Sequence, residues 1–131
     1  MNKKTKYNLI GIVTAVLLVA LDQWTKLLAV KYLMNQEPFV IWDGVFELHY
    51  LENRGAAFGI LQGQKFIFLL CTALVLVVLA FYYNRMPENK KYLPLRVVGV
   101  LLGAGAVGNL IDRMAQSYVV DFLYFKLIDF P

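Results

Sequence analysis

The chain has 131 residues, of which 60% are hydrophobic and 17% are charged, and its mean hydropathy is +0.58. Soluble domains carry roughly a quarter charged residues, so this composition excludes a water-soluble enzyme. Aromatic side chains make up 15% of the chain, too much apolar surface for a disordered protein. A single cysteine excludes an internal disulfide and a cysteine-based metal site. The net charge of +4 is spread along the chain, so we expect no nucleic-acid partner.

Three apolar stretches predict three membrane-spanning helices within a single domain, 1–131. The spans are expected near residues 9–33, 65–84 and 95–115, each close to the ~20 residues that cross a bilayer. The first could be a signal peptide, but no small-residue cleavage site follows its apolar core, so we expect it to remain as a helix. In the third, Gly99 and Gly103 are spaced for close helix packing.

The distribution of basic residues predicts the orientation of the spans. Residues 35–64 hold one basic residue, Arg54, and four acidic ones, whereas basic residues are frequent at the amino terminus and between the second and third spans. The positive-inside rule therefore places the amino terminus and the 84–95 loop in the cytoplasm and residues 35–64 on the extracytoplasmic side. The basic residues are Lys3, Lys4, Lys6, Arg85, Lys90, Lys91 and Arg96.

The extracytoplasmic segment is predicted to contain a short β structure. Aromatic and β-branched residues are frequent over 39–51, and Asp43-Gly44 is a dipeptide typical of a hairpin turn. The one histidine, His49, lies in this segment. We interpret it as a solvated strand residue rather than a catalytic one, because no cysteine or serine signature accompanies it.

Ionisable residues within the spans are candidates for function, because charge in lipid is expensive. Asp22 and Lys26 are four residues apart and share a helix face, so they could neutralise each other or contact a substrate. Asn109 and Arg113 also share a face, and Asp112 projects to the other side of Asn109. The end of the third span therefore has one polar face.

Two further clusters lie at the ends of spans. Asp121 is surrounded by apolar residues, where its proton affinity should be perturbed, although it could also be a plain aspartate paired with Arg113 or Lys126. Asn53 precedes the small residues 55–57, which leave backbone open to a ligand. The alternative for 53–59 is an ordinary glycine turn into the second span.

Taken together and in this order, these motifs resemble the lipoprotein signal peptidases, also called signal peptidase II. The resemblance covers the chain from about residue 10 to its end. It rests on Asp22-Gln23-x-x-Lys26, Asn53-x-Gly55-Ala56-Ala57-Phe58, Gly108-Asn109-x-x-Asp112-Arg113 and Val119-Val120-Asp121-Phe122.

The resemblance implies an intramembrane aspartic peptidase of the bacterial plasma membrane that cleaves lipid-modified prolipoproteins before the diacylglyceryl-cysteine. The implied partners are prolipoprotein signal peptides and membrane lipid, and no metal or other cofactor is expected. The implied fold is an all-α membrane bundle with a small extracytoplasmic β cradle. By similarity Asp121 is catalytic and Asp112 is structural. The implied substrate-binding residues are Asp22, Lys26, Asn53, Gly55, Asn109 and Arg113.

The chain departs from the family pattern at its end. The family carries a second catalytic aspartate in a Phe-Asn-x-Ala-Asp-like motif that opens a fourth span, after an aromatic-Pro pair such as Phe130-Pro131. We therefore expect the partner aspartate and the fourth helix to lie beyond Pro131, and the 131-residue chain to have no appreciable activity. Asp129 precedes the proline and is a poor substitute. The alternatives are an inactive prolipoprotein-binding relative and a membrane scaffold or transporter subunit with buried structural ion pairs.

Overall fold

The structure is a computed structural model that describes residues 1–54 and 65–125. Three long helices and three strands account for most of these residues. In chain order they are α1 (Lys3–Tyr32), β1 (Phe39–Trp42), β2 (Phe46–Asn53), α2 (Lys65–Arg85), α3 (Leu93–Gln116) and β3 (Val119–Phe125), and one turn of 3-10 helix, Lys90–Tyr92, precedes α3.

All three helices are long and apolar enough to cross a membrane, in agreement with the number predicted. Their hydropathy explains why many large apolar side chains are exposed on them, because lipid rather than water is the solvent such a helix needs. Helix α2 has no buried residue at all. Helix α1 begins six residues before the predicted span, at Lys3.

The strands form one antiparallel sheet in the order β1-β2-β3. The predicted hairpin turn is confirmed, since Asp43-Gly44 lies between β1 and β2 and Gly44 has a φ of 77°, which glycine adopts without strain. The third strand was not predicted from the sequence. It pairs with β2 so that Leu51 lies opposite Asp121 and Asn53 opposite Val119.

The chain divides into two compact units. The helical unit comprises Met1–Asp22 and Phe66–Leu110. The sheet unit comprises Gln23–Lys65 and Ile111–Pro131, of which 55–64 and 126–131 lie outside the described residues.

Glycines on α1 and α3 face side chains of α2 in the helical unit. A Cβ atom added to Gly103 would lie 3.8 Å from Leu79 Cδ1, an ordinary van der Waals distance, so this glycine faces α2 without a close approach of the two helices. On α1, a Cβ atom at Gly11 would lie 2.5 Å from the hydroxyl oxygen of Tyr83. That hydroxyl donates a hydrogen bond of 3.0 Å to the carbonyl of Tyr7, so the ring is held where the added carbon would clash.

The Gly11 contact predicts a position-specific cost of adding one methyl group. Gly11→Ala should destabilise the protein by about 1–3 kcal/mol, because a fixed ring must move. Gly105→Ala is the matched control, since it is also in a helix and a Cβ atom there meets nothing within 4 Å. It should be neutral or stabilising by up to ~1 kcal/mol through helix propensity. Thermal unfolding in detergent measures both, and equal effects would contradict the packing described.

Candidate functional site

One buried carboxylate connects three elements of the sheet unit. Asp112, on α3, is 4% exposed, and its Oδ2 atom lies 3.0 Å from the ammonium of Lys26 on α1. The same oxygen accepts a hydrogen bond of 3.0 Å from the backbone N–H of Val120 on β3. Its other oxygen, Oδ1, accepts a hydrogen bond of 3.0 Å from the amide of Gln23. We call these four residues the Asp112 network.

The Asp112 network gives Lys26 a carboxylate partner that the sequence analysis did not name. Lys26 is 7% exposed and pairs with Asp112, because residues three apart on α1 place Gln23 and Lys26 on one face toward this carboxylate. Asp22 belongs to the helical unit and packs against Gly108. A Cβ atom at Gly108 would lie 2.8 Å from Asp22 Cγ and closer still to a carboxylate oxygen, so a side chain there would displace Asp22.

The proposed catalytic residue, Asp121, lies half-buried in the middle of β3. The guanidinium of Arg113, near the end of α3, interacts electrostatically with both Asp121 and Asp112. The structure therefore brings Arg113 and Asp121 together, which is a pairing that one of the two alternatives for Asp121 expects. Lys126, the other partner named in that alternative, lies outside the described residues. Asn109 lies one helical turn before Arg113 on α3.

The sheet register places Asn53 near Asp121. Asn53 pairs with Val119 and Leu51 pairs with Asp121, so Asn53 and Asp121 project from the same face as diagonal neighbours on adjacent strands. Diagonal pairs of this kind are about 7–8 Å apart, within reach of one substrate. Gly55, the other candidate in this motif, lies outside the described residues.

A polar cluster that sequence reasoning missed holds the end of β2. The two carboxylate oxygens of Glu52 accept hydrogen bonds from the Tyr50 hydroxyl, at 2.9 Å, and from the Arg54 guanidinium, at 2.8 Å. The same guanidinium lies 4.8 Å from the ring centroid of Tyr118. Burial, and next the bond to Glu52, raise the pKa of the Tyr50 hydroxyl. Alternation at positions 50, 52 and 54 was the signal available, since period two puts them on one strand face.

His49 lies on β2 as expected but is not freely solvated. Its Nδ1 atom is 3.7 Å from the carboxylate of Glu47, a residue that is 5% exposed, and its ring packs edge-on against Tyr124 at 5.4 Å. The His49 side chain is still 38% exposed, so it is a partly solvated strand residue that also contacts Glu47 and Tyr124. Among residues 1–54 and 65–125, no group of three acidic, histidine or cysteine side chains is placed to hold a metal ion.

Comparison with known proteins identifies the family that carries this arrangement. A family model described as signal peptidase (SPase) II matches residues 14–131. The chain belongs to the signal peptidase II family. It is therefore an aspartic peptidase of the membrane by family, and the motif resemblance noted in the sequence is confirmed.

Relatives named lipoprotein signal peptidase align with most of the chain. The protein from Caldanaerobacter subterraneus subsp. tengcongensis is 46% identical over 116 residues, which cover 88% of this chain and 78% of the relative. The proteins from Brevibacillus brevis and Streptococcus thermophilus are 43% and 41% identical, and the aligned residues cover 77% and 72% of those relatives.

Two solved structures, both described as a bacterial membrane enzyme studied by the in meso method, share the fold. One superposes with a TM-score of 0.79 at 32% identity and covers 93% of this chain and 74% of the solved one. The other gives a TM-score of 0.74 at 30% identity and covers 91% and 76%. The three apolar helices and the small sheet are therefore a fold that membrane enzymes adopt.

The Asp112 network predicts strong coupling between Lys26 and Asp112. Lys26→Met and Asp112→Asn should each cost about 3–5 kcal/mol, because either change leaves a buried charge without its partner. The double variant should be less destabilised than the sum of the two, by about 0.5–3 kcal/mol. Unfolding in detergent measures the cycle.

Lys31→Met is the matched control, since Lys31 is exposed on the same helix. Its effect should stay within about 0.5 kcal/mol. Additive effects of Lys26→Met and Asp112→Asn would show that the pair does not contribute as a unit.

Proposed function

We propose that this chain provides the substrate-binding and catalytic framework of a lipoprotein signal peptidase, which cleaves prolipoprotein signal peptides before the lipid-modified cysteine. The observation that carries the proposal is the position of Asp121. It lies in Val119-Val120-Asp121-Phe122, the segment that resembles a motif of the family, on the sheet face shared with Asn53 and close to Arg113.

In an aspartic peptidase, two carboxyl groups share one proton, and their proximity drives their proton affinities apart. The ionised carboxylate takes a proton from the attacking water, and the protonated one donates to the scissile carbonyl. We assign Asp121 to this pair, with the guanidinium of Arg113 compensating negative charge beside it. The second carboxylate is proposed to come from residues beyond 131, as the motif resemblance implies.

The remaining candidates divide into substrate contacts and support. Asn53 offers a donor and an acceptor on the face of Asp121, and Asn109 shares a helix face with Arg113, so both are suited to the peptide backbone of a substrate. Asp22 and Gly55 are proposed substrate neighbours from the motifs alone. The ammonium of Lys26 is engaged by Asp112, which favours a role in holding the site together.

A non-enzymatic membrane scaffold would also contain buried ion pairs, and the Lys26–Asp112 pair fits that description. The family match over 14–131 favours the peptidase, because a scaffold does not need Asp121 within its motif.

Asp121→Asn should abolish cleavage, lowering the rate by at least about 10²–10⁴-fold, because one acid-base group is lost. The assay measures cleavage of a lipid-modified prolipoprotein in detergent. It compares the 131-residue chain with the same chain extended by the carboxyl-terminal residues of the Caldanaerobacter relative. The extended chain should cleave and the 131-residue chain should not.

Asp43→Asn in the extended chain is the control, since Asp43 is exposed in the β1–β2 turn. Full activity of Asp121→Asn in the extended chain would exclude Asp121 as a catalytic group. Comparable activity of the shorter chain would show that the second carboxylate lies within residues 1–131.

We also propose that the chain spans the bacterial plasma membrane with its amino terminus in the cytoplasm, so that the sheet lies on the extracytoplasmic side. The distribution of basic residues supports this orientation. In a Cys71→Ser background, an impermeant thiol reagent added outside intact cells should label Val45→Cys and not Asn89→Cys. The reverse pattern would place the site on the cytoplasmic side.

A further inference from the structure

The peptidase site does not explain the buried charge of Arg96, near the start of α3. Arg96 is 3% exposed, and its Nη2 atom donates a hydrogen bond of 2.9 Å to the carbonyl of Met86. Its guanidinium carbon lies 4.4 Å and 4.6 Å from the ring centroids of Tyr7 and Tyr83. Within the described parts of the chain, its Nε and Nη1 atoms have no hydrogen-bond partner. Two unsatisfied donors on a buried cation point to a missing polar ligand.

The contacts of Arg96 stabilise a cation without supplying a negative charge. Aromatic faces and one carbonyl are neutral, and no carboxylate pairs with Arg96 among the residues that the structure describes. The surrounding sequence is strongly basic, with Glu88 the one acidic residue in 84–95 and none before Asp22. Since Tyr7 and Arg96 meet, the amino-terminal lysines of α1 lie at the same end of the unit as this loop. This end of the helical unit therefore favours an anion.

An apolar groove begins at the same end of the helical unit. It has a volume of about 490 Å³ and is walled by α1, α2 and α3, with Leu76, Leu79 and Val107 among its lining residues. Its polar end is formed by Tyr83 and by Asn8 and Asn84, whose side chains share a hydrogen bond of 2.8 Å. The ring of Tyr83 both lines the groove and contacts Arg96, so the guanidinium lies beside the polar end, separated from the groove by this ring. A cation at one end of an apolar groove suits an anionic amphiphile.

We propose that the helical unit binds one anionic glycerophospholipid, with its phosphate on Nε and Nη1 of Arg96 and one acyl chain in the groove. The planar fork of a guanidinium matches two phosphate oxygens, and basic pockets between membrane helices are known to take anionic head groups. The groove volume lies within the range of about 300–1,000 Å³ typical of ligand sites. Both nitrogens lie under protein atoms, so the phosphate reaches them through a rotamer change of Arg96 or a movement of Tyr7. This binding is independent of the peptidase reaction.

The test compares phosphatidylglycerol with phosphatidylcholine of the same acyl chains, added to the 131-residue protein in neutral detergent. Native mass spectrometry counts bound lipids and gives their affinities. Phosphatidylglycerol should bind at least about tenfold more tightly, because its head group has a net negative charge that pairs with the guanidinium, whereas that of phosphatidylcholine is zwitterionic. Arg96→Gln should lose this preference. Arg85→Gln, which removes an equal charge from an exposed side chain over Phe81, should keep it.

Two further measurements test whether the groove takes part in binding and whether the ligand is a lipid or a free anion. Gly103→Leu places a side chain toward Leu79 and Leu76 in the groove and should weaken phosphatidylglycerol binding about tenfold or more, whereas Gly105→Leu should not. Inorganic phosphate alone should not raise the melting temperature as the lipid does. An equal rise would assign the site to a free anion and overturn the lipid proposal.

Equal affinity for the two lipids, or an unchanged preference in Arg96→Gln, would also overturn the proposal. If Arg96→Gln fails to fold, Arg96→Lys and Gly103→Leu decide instead. Arg96→Lys keeps the charge but not the fork and should retain part of the preference. Wild-type affinity in both variants would exclude the site.

Discussion

The carboxylate of Asp112 is the constraint on which the geometry of the sheet unit depends, because it is where α1, α3 and β3 meet. A buried carboxylate is costly unless its charge is balanced and its lone pairs are used, and here an ammonium, an amide and a backbone N–H do both. The bond to Val120 N–H fixes the start of β3 relative to α3. Asp121 is the next residue along that strand, so the contacts of Asp112 also restrict the position of the proposed catalytic residue.

The pairing of β3 with β2 extends the constraint from Asp112 to Asn53. Once β3 is fixed at Val120, its register with β2 determines that Asn53 and Asp121 share a face. The cluster of Tyr50, Glu52 and Arg54 occupies the opposite face of β2 and stacks on Tyr118, just before β3 begins. The two faces of β2 therefore differ. One carries the cluster of Tyr50 and Glu52, and the other carries Asn53 beside Asp121.

The sequence predicted the features that follow from local pattern and missed those that depend on partners far along the chain. The three apolar helices and the hairpin at Gly44 follow from the length of apolar runs and from turn chemistry, both of which depend on residues close together in the sequence. Strand β3 was missed because Val119–Phe125 is a uniformly apolar run around one aspartate, with no alternation to distinguish a strand. The pairing of Lys26 with Asp112 was equally hidden, since the two residues are 86 positions apart in the sequence.

Lys26 and Arg96 are both buried cations, and the difference between their surroundings separates structure from binding. The ammonium of Lys26 lies 3.0 Å from the carboxylate of Asp112, whose oxygens also accept hydrogen bonds from Gln23 and from the backbone N–H of Val120. The charge of Lys26 is therefore balanced by protein atoms alone. Among the residues that the structure describes, Arg96 contacts two aromatic faces and one carbonyl, which leave its charge uncompensated and two donors unused. Selection for stability alone would favour an apolar residue at such a position, because replacing a buried ion by a well-packed apolar side chain is often neutral or stabilising. This end of the helical unit is basic and has Arg96 beside a groove with apolar walls. It therefore has the chemistry to hold an anion that the lipid bilayer supplies.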